Sequence, residues 1–113
     1  MEITKKHVDD IAILKVEGQL SIDTTSELIA EITQACQATA SPTLLLDLTL
    51  LDYISSAGIQ ALYQCIDMVA DKQGRLVLCN VLANVQKVLD MVDIQADVDI
   101  YPQQDDAIAA LSS

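Results

Sequence analysis

One stretch in the middle of this 113-residue chain, residues 44–62, restricts the possible folds more than any other. Its first part, residues 44–48, is leucine except for one aspartate. Such a run is too short for a typical helix and too continuous for a surface strand, so it predicts a strand covered on both faces. After Tyr53 the apolar residues recur at helical spacing, which predicts an amphipathic helix. The stretch therefore predicts a buried strand, a short polar turn and a helix in direct succession.

The polar turn, Ser-Ser-Ala-Gly at residues 55–58, is the best candidate for a functional site. Serine oxygens at this point lie beside helix N–H groups that have no partner within the helix. Ser56 could be a helix cap and nothing more, an interaction that contributes about 0.5–2 kcal/mol. If the chain has a chemically active point, we expect it at this turn. Gly58 is predicted to permit a close approach to the backbone, at a cost in helix propensity.

The other segments alternate between strand and helix patterns. A pair of antiparallel strands is predicted at residues 2–7 and 11–17, with Gly18 ending the second. The later elements are predicted as a helix, a strand, a helix, a strand and a short helix, at residues 24–38, 76–81, 84–92, 98–101 and 107–111. Ser21 or Asp23 is predicted to cap the helix at 24–38, and Gly74 to end the helix after the central strand.

This order of elements predicts the fold class. Strands that alternate with helices favour a sheet whose strands are mostly parallel, with right-handed crossovers. We therefore expect an α/β protein with a mixed, mostly parallel sheet, an N-terminal antiparallel hairpin and about four helices. The length suits a single domain spanning residues 1–113.

Composition argues against several function classes. Six Lys and Arg stand against 17 Asp and Glu, and the chain has no Trp or Phe, so nucleic acid is not an expected partner. A net charge of −11 disfavours binding to anionic membranes. No apolar run approaches the roughly 20 residues of a membrane span, and no signal peptide is recognisable. These features predict a soluble, cytoplasmic protein.

Enzyme chemistry is not expected either. His7 is the only histidine, and no Ser-His-acid arrangement or Gly-rich phosphate loop is present. Cys36, Cys65 and Cys79 are widely spaced and include no CxxC pair, so they predict buried free thiols rather than disulfides or a zinc site. The sequence implies no cofactor and no metal.

Residues 47–59, Asp-Leu-Thr-Leu-Leu-Asp-Tyr-Ile-Ser-Ser-Ala-Gly-Ile, carry a family resemblance. They resemble the pattern Asp-Leu-Ser-x-x-x-x-Ile-Asp-Ser-Ser-Gly-Leu of STAS domains, of the type found in bacterial anti-sigma factor antagonists. The resemblance extends from residues 18–20 through 74–76 to 89–91, which is most of the chain. It departs from the family where Ser55 replaces an acid and Ala57 replaces a second Ser or Thr.

The resemblance implies a phosphorylation switch. Ser56 falls on the position that is phosphorylated in the family, and Ser55 is the less favoured alternative. The unphosphorylated form would bind a serine kinase that is also an anti-sigma factor, releasing that kinase's other partner, and a PP2C-type phosphatase could reverse the modification. The alternative is a constitutive STAS subunit or scaffold of a transporter or signalling complex. We expect a monomer.

The predicted partner-binding surface surrounds the start of the second helix and the loop before the first. It comprises Ser21, Asp23, Thr24, Asp52, Tyr53, Ser55, Ser56, Gly58 and Gln60. Members of the family often have an acidic residue in this loop. At the corresponding position this chain has Ser21, and Asp23 follows two residues later. No comparable polar cluster is predicted at the opposite end of the sheet.

Overall fold

The computed structural model describes residues 1–112, and within them the chain forms five strands and four α-helices. In chain order these are β1 Glu2–Val8, β2 Ile11–Leu20, α1 Thr25–Ala38, β3 Thr43–Ile54, α2 Ser56–Asp71, β4 Arg75–Cys79, α3 Ala83–Met91, β5 Asp99–Tyr101 and α4 Gln104–Ser112. A single 3-10 turn, Ile94–Ala96, precedes β5. The predicted fold class is confirmed. None of the described helices is long and apolar enough to cross a membrane.

The strands form one sheet in the order β1-β2-β3-β4-β5. β1 and β2 are antiparallel and are joined by a tight turn in which Asp9 has a φ of 53°. Aspartate adopts this left-handed conformation more readily than most residues. The other three pairings are parallel. β3 is therefore the central strand, and its carboxyl end leads directly into α2.

The two faces of the sheet are covered unequally. The larger core lies between one face and α1, α2 and α3, and it includes Leu44, Leu46 and Leu48 of β3. The smaller core lies on the other face, where Leu45 and Val77 pack with Ala107 of α4. Because consecutive residues of a strand point to opposite faces, burial on both faces explains the continuous apolar run at the start of β3.

β3 does not end near Leu48 as the sequence predicted, but continues to Ile54. Its pairing with β2 slips twice, once after Asp47 and once after Leu51, and each time β3 gains one residue over β2. These are β-bulges, which reset the alternation of side chains. As a result Leu48, Leu51 and Ile54 all enter the same core although they are three residues apart. A spacing of three breaks the alternation that marks a strand, so the sequence does not show that β3 continues beyond the apolar run.

Two glycines have different roles from those predicted. Gly18 does not end β2 but lies within it, at a φ of 113°, next to the second bulge. Gly74 is not the left-handed residue that ends α2, because Gln73 occupies that conformation with a φ of 56°. The Gly74 N–H donates to the Val69 carbonyl at 2.9 Å, and a Cβ on Gly74 would overlap the Pro42 carbonyl oxygen. Gly74 is thus required by close packing against Pro42.

Candidate functional site

The two serines at the start of α2 have different environments. Ser55 is the N-cap, since its Oγ accepts a hydrogen bond from the Gly58 N–H at 3.2 Å. The carbonyl of Ser55 accepts the Ile59 N–H at 2.9 Å, which begins the helical hydrogen bonding. The capping role therefore belongs to Ser55, and the interpretation of Ser56 as the cap is wrong.

Ser56 is the first helical residue, and its side chain is exposed. Its hydroxyl makes no hydrogen bond within residues 1–112, and the N–H groups of Ser56 and Ala57 are also without a partner there. The first turn of α2 contains no acidic residue. The free hydroxyl thus lies at the positive end of a 16-residue helix, beside two free donors and away from any carboxylate of that turn.

The end of β2 holds this turn in place. The Ser55 N–H donates to the Leu20 carbonyl at 3.0 Å. Gly58 is buried against the same residue, and a Cβ on it would lie 2.5 Å from the Leu20 carbonyl oxygen and 2.8 Å from Ile54 Cγ1. The glycine therefore permits the close approach of β2.

The loop between β2 and α1 is arranged by Thr24 rather than by Ser21 or Asp23. Thr24 Oγ1 accepts the Ser21 N–H at 3.0 Å and donates to the Gln19 carbonyl at 2.7 Å. α1 begins at Thr25 without a side-chain cap, so the predicted capping roles of Ser21 and Asp23 are wrong. Because this loop follows directly from Leu20, it lies next to the start of α2.

Several predicted site residues are exposed around this junction. They are Asp23, Asp52, Tyr53, Ser56 and Gln60, while Ser21, Thr24 and Ser55 are partly buried. The Asp52 carbonyl accepts a hydrogen bond from Asn84 Nδ2 at 2.7 Å, which ties the end of β3 to α3. Sequence reasoning missed Ile22, which is 75% exposed in the β2–α1 loop. In the sequence, an isolated isoleucine among polar loop residues indicates such an exposed apolar contact.

A second polar centre, also missed, surrounds Asp47. This carboxylate is only 4% exposed and accepts four hydrogen bonds, from the Thr49 N–H at 3.0 Å and hydroxyl at 2.6 Å, Asn80 Nδ2 at 3.3 Å and Gln104 Nε2 at 2.9 Å. Burial alone would raise the pKa of the Asp47 carboxyl, but these hydrogen bonds together outweigh burial and lower the pKa below its usual value. Asp47 therefore links β3, the end of β4 and α4.

The three cysteines are free thiols and are buried. Burial raises the pKa of Cys36, and it raises the pKa values of Cys65 and Cys79 to about 12. Thiolates are consequently scarce at neutral pH. Within the described residues, no group of three or more His, Cys, Asp or Glu side chains could hold a metal ion.

The chain is similar to known proteins along most of its length. The sequence profile of the STAS domain matches residues 2–107. One curated relative is the protein BtrV of Bordetella bronchiseptica, which is provisionally named an anti-sigma factor antagonist. It is 28% identical over 113 residues, which cover 100% of this chain and 94% of that protein.

Solved structures agree with the fold. A Thermotoga maritima protein solved at 1.59 Å, also provisionally named an anti-sigma factor antagonist, has a TM-score of 0.90 at 19% identity and covers 98% of this chain and 95% of its own. The Bacillus cell fate determinant SpoIIAA in its phosphorylated form has a TM-score of 0.73 at 16% identity, covering 97% and 99%. The murine anion transporter Slc26a9 matches with a TM-score of 0.82 at 16% identity, covering 95% of this chain and 18% of the transporter.

Proposed function

Because the chain belongs to the STAS domain family, we propose that it is a phosphorylation switch of the anti-sigma factor antagonist type. In this proposal the unphosphorylated form binds a serine kinase that is also an anti-sigma factor and releases the kinase's other partner. Phosphorylation of Ser56 blocks binding, and a PP2C-type phosphatase restores it. The protein acts by binding, in the cytoplasm, and not as an enzyme.

The observation that carries this proposal is the difference between the two serines. Ser55 is partly buried and its hydroxyl caps α2, whereas the Ser56 hydroxyl is exposed and has no partner within residues 1–112. A kinase can reach Ser56 without breaking an internal hydrogen bond. This favours Ser56 over Ser55 as the phosphoacceptor.

The start of α2 suits a phosphate after it has been added. The free N–H groups of Ser56 and Ala57 can donate to phosphate oxygens, and the helix dipole favours negative charge at this point. No acid in the first turn opposes the phosphate. The modified protein should therefore keep its fold, so the switch acts on the surface presented to the partner.

The exposed residues around Ser56 supply a surface for that partner. Tyr53 is 48% exposed, and Ile22 lies in the adjoining loop. Asp23 and Asp52 flank these apolar side chains, so the surface favours a partner with basic groups around an apolar contact. A phosphate on Ser56 would add about −1.5 to −2 charges to this acidic rim.

A constitutive STAS subunit is the second candidate, and the fold similarity to a region of Slc26a9 favours it. In that case Ser56 would have no regulatory role. The partner would bind regardless of the modification.

Intact-mass measurement after incubation with the cognate kinase and ATP tests the proposal. We expect one added phosphoryl group on the wild-type protein and on Ser55→Ala, and none on Ser56→Ala. Ser55→Ala is the matched control, because it removes a neighbouring hydroxyl and leaves the proposed acceptor. Modification of Ser56→Ala to the same extent as wild type would refute Ser56 as the acceptor.

A further inference from the structure

The end of the molecule opposite Ser56 contains a groove that the proposed switch does not use. It lies where β1 and β2 meet the last turns of α1 and the segment leading into β3, and its volume is about 800 Å³. The sequence predicted no comparable polar cluster at this end, and the groove found there is largely apolar. The residues that line the groove are dispersed in the sequence over β1, β2, α1 and residues 39–42, so no single motif indicates it.

Small residues leave this space open. Ala12, Ala35 and Ala38 line the groove, where larger side chains would have extended the core. Leu14 and Leu44 add an apolar floor. The groove is thus an apolar trough between an edge of the sheet and a helix, open to solvent on one side.

The charge of the lining is unbalanced toward negative. Glu31 pairs with Lys5 at 3.1 Å between Oε1 and Nζ, which leaves Asp9 and Asp10 without an ion-pair partner within the described residues. α1 also ends here without compensation. It has no basic residue in its last turn, and its C-cap, Thr39, is extended and makes no hydrogen bond back to the helix among residues 1–112. Free carbonyls at a helix C-terminus add partial negative charge.

We propose that this groove binds a small amphipathic cation, an alkylammonium or alkylguanidinium compound. Its volume falls within the range of small-ligand sites, roughly 300–1,000 Å³. The alkyl chain would lie on the alanine and leucine floor, and the cation would face Asp9, Asp10 and the end of α1. The site is separate from Ser56, so it stands or falls independently of the phosphorylation switch.

Amide chemical-shift mapping of the full chain tests this proposal, with hexylammonium chloride as the probe. We expect saturable shifts at residues that line the groove, among them Lys5, His7 and Thr43. Hexan-1-ol, which keeps the chain and lacks the charge, should bind more weakly, and hexanoate should not bind. Equal shifts from all three compounds, or no saturation with hexylammonium, would overturn the proposal.

Two variants locate the site. The double substitution Asp9→Asn and Asp10→Asn removes the charges while keeping residue types that tolerate the left-handed turn, and it should weaken binding roughly fivefold. Ala35→Leu should fill the groove and abolish binding, whereas Ala30→Leu, on an exposed part of α1 outside the groove, should not. Unchanged affinity for hexylammonium in Ala35→Leu would overturn the proposal. Binding of a lysine-containing peptide in the groove, without binding of hexylammonium, would also overturn it.

Discussion

Among single residues, Ser55 and Ser56 differ most in consequence, because one caps α2 and the other is available for modification. One hydroxyl stabilises the helix start, and the other has no hydrogen-bond partner among residues 1–112. In the sequence the two are adjacent and chemically identical, so their roles cannot be separated without the backbone conformation. Ser55 has a φ of −98° and a ψ of 175°, the extended conformation typical of an N-cap. That conformation aims its Oγ at the Gly58 N–H.

This difference predicts opposite costs for two alanine substitutions. Ser55→Ala should lower the free energy of unfolding by about 1 kcal/mol, because it removes the cap. Ser56→Ala should change it by less than about 0.5 kcal/mol, since an exposed side chain without partners is lost. Urea denaturation followed by far-UV circular dichroism measures both. A larger loss in Ser56→Ala than in Ser55→Ala would show that the cap is misassigned.

At the scale of elements, the sequence predicted the order and type of strands and helices, and the structure agrees with it. It could not predict where β3 ends, because two bulges place Leu48, Leu51 and Ile54 at a spacing that breaks the alternation of a strand. It also could not predict the role of Gly58, which depends on contact with Leu20, 38 positions earlier in the chain. Periodicity reports local structure, whereas both failures arise from pairing with β2, which is distant in sequence.

Asp47 belongs to this scale because it fastens α4 to the sheet. Its carboxylate accepts hydrogen bonds from β3, from Asn80 after β4 and from Gln104 at the start of α4. α4 buries only Ala107 completely, so its attachment relies on few apolar contacts. The apolar face beneath it includes Leu45 and Val77.

Stability should therefore depend on the ionisation of Asp47. Because its folded-state pKa is lowered, its contribution is fully present above the ordinary aspartate pKa of about 4 and is lost as the pH falls through the folded-state pKa. Asp47→Asn cannot titrate at this position and should cost about 2 kcal/mol near neutral pH. The free-energy difference between wild type and variant should shrink below about pH 4. A difference that stays constant across the whole range would refute the role of the carboxylate.

Hydrogen exchange separates a local effect from a global one. In Asp47→Asn, amides of α4 should exchange faster at neutral pH. The exchange rates of α2 amides should change only as far as the global free energy of unfolding changes. Equal acceleration in both helices would contradict the assignment of Asp47 as the attachment point of α4.

At the scale of the whole molecule, a core of aliphatic side chains and buried thiols carries a surface of high negative charge. Leu, Ile, Val and Cys fill both faces of the sheet, and the net charge of −11 lies on the outside, since Asp47 is the only buried acid among residues 1–112. Such a surface attracts positively charged groups and repels negatively charged ones.

The thiols report the integrity of this core. Cys36, Cys65 and Cys79 are buried and their pKa values are raised, so a thiol reagent at neutral pH should label the native protein very slowly. All three should react at once in guanidinium chloride. Rapid labelling of any cysteine in the native protein would show that this cysteine is not buried in the core.

We propose that phosphorylation of Ser56 controls binding without disturbing the fold, and calorimetry with the cognate kinase measures this effect. Unmodified protein and Ser56→Ala should bind alike, with unchanged far-UV circular dichroism in every form. The phosphorylated protein should bind about a thousandfold more weakly, which corresponds to a loss of about 4 kcal/mol. Ser56→Asp, with a smaller charge, should fall between them. Equal affinity of the phosphorylated and unmodified forms would show that Ser56 is not the switch.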